Sequence, residues 1–205
     1  MSGLIAESWI GIFAHPDDEW LAGWPVFQRI DVRLGVIFFV GDNRSMIHNS
    51  DKLWNPRLCK VLNGLNIELL GCLGCSPDFF RSPRSERSVW RDSIQNLISN
   101  VRTGDFADAS IITHNPIGEY GHPDHIEVCK TVMDVHDYLP LLISDLCYEQ
   151  TISLRTRRLF YNGISYGPFS LDKWRWLEAR SAYRTSLHWT AWEWPGQNNA
   201  RLYAI

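Results

Sequence analysis

The sequence is poor in cysteine and lacks long apolar runs. Its five cysteines are an odd number in a chain of 205 residues. A chain of this length folds without disulfide bonds, so we expect a reduced, cytoplasmic protein. No apolar run approaches the roughly 20 residues that a membrane-spanning helix requires. Residues 1–7 lack a basic segment followed by an apolar core, and we therefore expect no export signal.

Basic clusters and nucleotide-binding motifs are also missing. The net charge is −3, and lysine and arginine form no cluster, which argues against a nucleic-acid partner. Neither a G-x-G-x-x-G nor a G-x-x-x-x-G-K-[ST] motif is present, so no nucleotide cofactor is indicated. The sequence contains no internal repeat, low-complexity stretch or interdomain linker. Together with the chain length, these features predict one domain over residues 1–205.

Short apolar segments alternate with segments of helical spacing. Predicted strands cover residues 8–14, 32–40, 66–70, 109–113 and 141–147, and predicted helices cover residues 18–30, 55–65, 88–101 and 124–137. The alternation predicts an α/β fold: a single Rossmann-like domain whose mostly parallel sheet carries helices on both faces. Pro25 should kink or break the first helix. Residues 71–86, rich in Gly, Pro, Ser and Arg, are expected to form a functional or mobile loop.

The C-terminal part of the domain, residues 149–205, departs from this pattern and is rich in aromatic residues. Residues 157–161 are predicted to form a further strand and residues 171–183 a helix, and the remaining tail is expected to be irregular. Half of the ten tryptophans lie in this part: Trp174, Trp176, Trp189, Trp192 and Trp194. Two interpretations stay open, namely packing in the core and a lid, or a wall on which sugar rings stack.

Two polar clusters carry most of the functional information. Residues 14–19 read AHPDDE directly after the first predicted strand, and residues 120–125 read YGHPDH after the fourth. The carboxyl ends of parallel strands meet in one crevice of an open α/β sheet, so we expect the two clusters to converge. Histidines and carboxylates that converge in such a crevice indicate a metal site.

The spacing within the clusters points to three metal ligands. His15 and Asp18 can face one point across a strand-to-helix turn, and His125 would supply the third ligand. A set of two nitrogens and one oxygen leaves a position open for water, as in catalytic rather than structural zinc sites. The same set suits iron(II) as well as zinc. The spacing alone does not divide Asp17 and Asp18 between a metal ligand and a general base.

AHPDDE near the amino terminus, followed later by HPDH, resembles the LmbE/PIG-L family of zinc-dependent N-acetylglucosaminyl deacetylases. The resemblance covers residues 10–148. It implies a Rossmann-like fold and the hydrolysis of N-acetyl groups from amino sugars and their conjugates. By motif position, it makes His15, Asp18 and His125 the zinc ligands and Asp17 the general base.

The resemblance also implies roles for the second cluster. His122 corresponds to the residue that stabilises the charged intermediate or protonates the leaving amine. Tyr120 corresponds to a tyrosine that helps the metal hold the oxyanion. From its position alone, Asp124 is interpreted as a partner that orients a neighbouring histidine, as the N-cap of the following helix, or as both. In the implied reaction, metal-activated water attacks the acetyl carbonyl while Asp17 takes its proton.

Other polar residues carry weaker signals. Arg57 resembles the family's arginine that binds sugar hydroxyls, and Asp78 falls near the position of a sugar-binding acid. Glu19 is expected to be structural, as an acid in the first turn of a helix. His114 is expected to be a satisfied polar residue rather than a fourth ligand. Residues 42–43 either line the pocket or form a turn.

We therefore expect a metal-dependent hydrolase that removes the N-acetyl group from an amino sugar or sugar conjugate. The expected cofactor is zinc or iron(II), the expected partner is a small N-acetylated sugar or glycoconjugate, and a homo-oligomer stays open. One alternative is an amidase that acts on a thiol or other conjugate through the same site. Another is a non-catalytic sugar-binding relative, which the presence of Asp17 argues against because binding alone does not require a base.

Overall fold

The structure is a computed structural model that describes residues 6–40, 56–76, 78–101, 104–136, 140–146, 150–159, 163–187 and 197–205. Its strands are β1 (Ser8–Phe13), β2 (Arg33–Val40), β3 (Ile67–Cys75), β4 (Ser110–Thr113), β5 (Leu141–Ser144), β6 (Ser165–Ser170) and β7 (Asn199–Ala204). Its α-helices are α1 (Asp18–Leu21), α2 (Trp24–Phe27), α3 (Pro56–Gly64), α4 (Arg84–Val101), α5 (Pro123–Val135), α6 (Gln150–Leu159) and α7 (Lys173–Leu187). A short 3₁₀ helix, Phe79–Arg81, follows β3.

These strands form one sheet in the order β3-β2-β1-β4-β5-β7-β6. The first five pair in parallel, and β7 runs antiparallel to both β5 and β6. The predicted single α/β domain with a mostly parallel sheet is therefore confirmed. β2, the next strand along the chain, lies on one side of β1, and β4 lies on the other side. Such a switch in strand order opens a crevice at the carboxyl ends of β1 and β4.

Apolar side chains form one layer on each face of the sheet. Trp9 and Phe13 of β1 pack with the apolar sides of α3 and α7, whereas Ile10 and Ile12 pack with those of α4 and α5. This alternation along β1 shows that the strand is covered on both faces, as expected of a parallel sheet. No helix in the described segments is long and apolar enough to span a bilayer.

The helix predicted over residues 18–30 is broken, as Pro25 led us to expect, into the two short helices α1 and α2, but the break falls at Gly23. A Cβ atom at Gly23, between them, would lie 2.7 Å from the Phe13 ring and 2.9 Å from the Glu19 carbonyl oxygen. Pro25 lies in the first turn of α2. The break falls before the proline because proline suits the start of a helix better than its interior.

The predicted loop over residues 71–86 is also too long. β3 continues to Cys75, and α4 begins at Arg84. A Cβ atom at Gly71 would lie 2.9 Å from a methyl carbon of Leu97. This glycine therefore permits a close approach of α4 to the strand instead of ending the strand.

The C-terminal part differs most from its prediction. The described part of the predicted strand 157–161 belongs to α6, and the tail that was expected to be irregular contains β7. Asp145, which follows β5, links both elements. It accepts hydrogen bonds from Arg157 Nε at 2.5 Å and from the backbone N–H of Arg201 at 2.7 Å. Such long-range pairing leaves no periodic signal in either segment.

Tryptophans of this part divide between core and surface. Trp176 is buried and stacks on Trp24 with ring centroids 6.0 Å apart, as the packing interpretation requires. Trp174 is 81% exposed. Trp189, Trp192 and Trp194 lie outside the described residues, so a sugar-stacking role for them stays a prediction.

Candidate metal centre and active site

The first cluster lies in the turn that joins β1 to α1. Asp17 has φ +100° and ψ −22°, in the left-handed region that aspartate and asparagine tolerate better than most residues. This turn folds the chain back so that Asp18 Oδ2 accepts the backbone N–H of His15 at 2.8 Å and lies 3.2 Å from Nδ1 of the same residue. Asp18 and His15 thus face one point, as predicted.

The second cluster reaches the same point from β4, which is adjacent to β1 in the sheet. His125 lies in the first turn of α5 and is fully buried. Its Nε2 atom lies 3.4 Å from Asp18 Oδ2. The rings of His15 and His125 have centroids 5.5 Å apart. The structure therefore brings together the three residues that the sequence predicts as metal ligands.

The donor atoms of these three residues fit a divalent ion. Nε2 of His125 is buried and makes no hydrogen bond to the described residues. A buried polar atom without a partner is costly, and an imidazole nitrogen in this position is suited to bind an ion. One nitrogen of His15, a carboxylate oxygen of Asp18 and one nitrogen of His125 all lie within 4.8 Å of one another. Nitrogen and carboxylate donors are the ones that zinc and iron(II) accept.

Two other groups of side chains have similar spacing. One contains His15, His122 and Asp124, and the other contains His114, Glu119 and His125. In the second group, Glu119 Oε2 lies 2.8 Å from His114 Nδ1 and 2.6 Å from His125 Nδ1, so these atoms already satisfy one another by hydrogen bonding. In the group with His15 and His122, Asp124 already accepts hydrogen bonds from two backbone amides. The set of His15, Asp18 and His125 uses the unsatisfied Nε2 of His125 and therefore fits an ion best.

His114 and Glu119 form a buried support behind this set. His114 Nε2 accepts the backbone N–H of Ala14 at 2.9 Å, and its ring stacks on His125 with centroids 3.9 Å apart. His114 is a satisfied polar residue, as its position at the end of β4 led us to expect. The sequence predicted no role for Glu119. Its position between His114 and His125 in one short segment could have indicated one. It orients His125 so that Nε2 faces Asp18.

Asp124 connects the centre to the segment after β3. Its carboxylate lies 3.2 Å from His15 Nε2 and accepts the backbone N–H groups of Asp78 at 3.1 Å and Phe80 at 3.0 Å. The N-cap of α5 is His122, whose Nδ1 accepts the backbone N–H of Asp124 at 3.2 Å. Of the two alternatives for Asp124, the N-cap is therefore wrong, and the contact with a histidine is observed.

The carboxylates of the centre favour positive charge. Burial opposes protonation of His15, but its hydrogen bonds to Asp124 and Asp18 and their charges outweigh burial and raise the pKa of His15 to about 10. Carboxylates that stabilise a protonated histidine also suit a bound cation in the same place.

The groups expected to perform acid–base chemistry lie around the predicted ligands. Asp17 directly precedes Asp18 and is buried. The His122 ring lies 4.6 Å from that of His125 and 5.2 Å from that of His15, centroid to centroid. Burial lowers the pKa of His122, and the charges of these two histidines lower it further. The predicted catalytic residues therefore border the same crevice.

Three residues with less specific predictions differ in their relation to the centre. Tyr120 is 44% exposed, and its ring centroid lies 5.3 Å from that of His125. Asp78 is exposed and reaches the centre through its backbone contact with Asp124. Arg57 is exposed at the start of α3 and lines a cleft with Lys60, Thr185 and Ser186. Residues 42–43 lie outside the described residues.

Glu19 is fully buried, unlike an ordinary acid in the first turn of a surface helix. Its Oε2 accepts the backbone N–H of Asp17 at 2.9 Å, and its Oε1 accepts a short hydrogen bond from the hydroxyl of Tyr183. Burial raises the pKa of Glu19 to about 8, and burial together with the charge of Glu19 raises the pKa of Tyr183 well above its usual value.

Comparison with known proteins gives relatives in both sequence and structure. No protein-family model matches the chain. The chain is 28% identical over 142 residues to the 1D-myo-inositol 2-acetamido-2-deoxy-alpha-D-glucopyranoside deacetylase of Corynebacterium efficiens. That match covers 57% of this chain and 45% of the relative, so the chain spans less than half of the relative's length.

Solved structures of several deacetylases have the same fold. The zinc-inhibited form of the teicoplanin deacetylase Orf2 has a TM-score of 0.56 at 11% identity, over 96% of this chain and 97% of that one. The N,N'-diacetylchitobiose deacetylase of Pyrococcus horikoshii has a TM-score of 0.54 at 14% identity, over 89% and 71%. At these identities the likeness establishes the fold. The sequence relative and the shared fold confirm the resemblance to LmbE/PIG-L deacetylases.

Proposed function

We propose that this chain is a metal-dependent N-deacetylase that hydrolyses the acetamide group of an amino sugar or a sugar conjugate. The observation that carries the proposal is the buried Nε2 of His125, which has no hydrogen-bond partner among the described residues and lies 3.4 Å from Asp18. The names of the relatives support the reaction, because one deacetylates an acetamido sugar joined to inositol and another deacetylates diacetylchitobiose.

His15, Asp18 and His125 would hold the ion. A divalent ion in this position supplies Lewis-acid activation of water and of the acetyl carbonyl. Glu119 keeps the Nδ1 side of His125 occupied, and Asp124 does the same for Nε2 of His15. Each histidine therefore offers its other nitrogen to the ion. Zinc and iron(II) both suit such a set, so the experiment below compares the two metals.

Asp17 is the proposed general base. It lies beside Asp18 in the turn, and its backbone is fixed by Glu19. Its carboxylate would take the proton from the water that attacks the acetyl carbonyl. This step forms the new carbon–oxygen bond of acetate. Cleavage of the carbon–nitrogen bond then requires a proton on the departing amine.

His122 is the proposed proton donor to that amine. Its Nδ1 accepts the Asp124 amide, so the neutral ring carries its hydrogen on Nε2. A second proton on the ring would occupy Nδ1 at the expense of that hydrogen bond. Burial and the neighbouring histidines lower the pKa of His122, which makes the protonated ring a stronger acid. Tyr120 would hydrogen-bond the acetyl oxygen from the rim.

Sugar contacts are proposed for Arg57 and Asp78. Asp78 follows the carboxyl end of β3, and Arg57 lies in the first turn of α3. Two or three contacts with sugar hydroxyls would orient a small ligand. They would not select the group to which the sugar is joined.

The test is acetate release by purified protein of known metal content. The protein is stripped with a chelator and reloaded separately with Zn²⁺ and Fe²⁺, the latter without oxygen. It is then incubated with N-acetylglucosamine, N,N'-diacetylchitobiose and the inositol conjugate of N-acetylglucosamine. We expect stoichiometric acetate and free amine from at least one substrate, only after reloading. Amide cleavage that releases a different acid would indicate the amidase alternative. Sugar binding without cleavage under any metal would contradict the proposal.

A further inference from the structure

A buried carboxylate joins the proposed base to the C-terminal helix. Glu19 accepts the Asp17 backbone N–H through Oε2 and the Tyr183 hydroxyl through Oε1. The Asp17 amide also lies against the Tyr183 hydroxyl. Glu19 and Tyr183 are 0% and 1% exposed, so water does not compete for these contacts. Tyr183 belongs to α7, which lies beyond residues 10–148, the segment whose sequence resembles the LmbE/PIG-L family.

Asp17 needs such support because of its backbone. A non-glycine residue with φ +100° stays in that conformation only when its surroundings hold it there. The Asp17 side chain does not cap α1. The hydrogen bond that the Asp17 amide donates to Glu19 therefore restrains the backbone of Asp17.

We propose that Glu19, held in place by Tyr183, is a positioning residue that fixes the carboxylate of Asp17 for catalysis. The proposal rests on the role of Asp17 as general base proposed above. It makes α7 part of the catalytic apparatus, although α7 supplies no group to the reacting atoms. Because the positioning of a base by even small distances changes rates strongly, loss of the restraint should lower kcat.

A purely structural role for the pair predicts a different outcome. If Glu19 and Tyr183 only anchor α7, their loss lowers the melting temperature and leaves kcat of the folded, metal-loaded protein unchanged. Ser144 provides a matched control for this effect. Its buried hydroxyl donates to the Ala22 carbonyl at 2.6 Å and so ties the end of α1 to β5.

The first experiment compares kinetics at equal metal content. We expect Glu19→Ala to lower kcat about 100-fold and Tyr183→Phe about 10-fold, with KM within about threefold of wild type. Glu19→Gln should stay within about threefold in kcat, because its amide oxygen can accept from Asp17 and its NH₂ group can donate to the Tyr183 oxygen. Ser144→Ala should lose stability and keep kcat.

The second experiment needs no substrate. Hydrogen exchange of the Asp17 amide, followed by NMR, should be at least about 10-fold faster in Glu19→Ala and Tyr183→Phe than in wild type. It should be unchanged in Ser144→Ala. If wild-type protein deacetylates nothing, the proposed function fails, and this measurement still decides whether Glu19 restrains Asp17.

The proposal is overturned if Tyr183→Phe and Glu19→Ala behave like Ser144→Ala, with lower stability, unchanged kcat and unchanged exchange at Asp17. Loss of bound metal in Tyr183→Phe would also overturn it, because the pair would then support the ligands rather than the base. If Glu19→Ala does not fold, Tyr183→Phe alone decides, since its ring preserves the packing of α7.

Discussion

Glu119 lies 2.6 Å from Nδ1 of His125, on the opposite edge of the ring from Asp18. Burial alone would raise the pKa of Glu119, but the charge and hydrogen bond of His114 lower it well below its usual range, so the carboxylate stays ionised. An ionised acceptor at Nδ1 keeps the hydrogen of His125 on that atom. Nε2 is then left as a lone-pair donor towards Asp18, as a metal ligand must be.

Removal of this acceptor should weaken metal binding. We expect Glu119→Ala to raise the dissociation constant for Zn²⁺ by about 10–100-fold, the usual effect of losing a partner that orients a ligand. Competition with a chromophoric chelator measures this constant. Glu127→Ala is the matched control, because Glu127 also lies on the inner side of α5 but pairs with Arg87. Equal affinities of the two variants would contradict the role of Glu119.

Loss of a predicted ligand should abolish stoichiometric binding. Wild-type protein should hold about one divalent ion per chain after dialysis, because the three donors define one site. His15→Ala and His125→Ala should each bind far less, as measured by inductively coupled plasma mass spectrometry. His136→Ala should bind as wild type does, since His136 lies at the end of α5 and contacts the Met133 carbonyl. Full occupancy in both ligand variants would show that other residues hold the ion.

The role of His122 predicts a dependence on the leaving amine. His122→Asn preserves an N-cap acceptor for α5 but cannot donate a proton as imidazolium does. Its defect in kcat should shrink when the leaving amine is made less basic, as in an N-acetyl anilide, because a good leaving group needs less protonation. His122→Ala should show the same defect and also lose about 1 kcal/mol of stability through the missing cap. A defect in His122→Asn that is independent of the leaving amine would exclude the donor role.

The sequence was sufficient to predict the position of the centre. Two apolar strands, each followed by a cluster of histidines and acids, imply a shared crevice if the strands are neighbours. The pairing of β1 with β4 makes them neighbours. This pairing brings His15, Asp18 and His125 together at the ends of the two strands.

The support of the centre was harder to predict, for two different reasons. Glu119 lies between His114 and His125 in one short segment, so a local search for carboxylates would have found it. The contact between Glu19 and Tyr183 joins residues 164 positions apart. It depends on how α7 packs against the sheet, which the amphipathic pattern of α7 does not specify.

Glycine and proline account for two of the differences in secondary structure. Gly71 lies within β3 under Leu97, where a side chain would not fit, instead of beginning a loop. Pro25 lies in the first turn of α2, just after the break that it was expected to cause. The antiparallel addition of β7 was missed because it depends on hydrogen bonds to β5, far away in the sequence.

The central claim is that Asp17 activates water beside an ion held by its neighbours. Asp17→Asn is the sharpest probe, because asparagine tolerates the same left-handed backbone and cannot accept a proton. Acetate release should be compared between wild type and Asp17→Asn, each loaded with one equivalent of the metal that supports activity. We predict equal metal content and a fall in kcat of at least about 100-fold. A variant that loses its metal, or one that keeps both metal and kcat, would contradict the account.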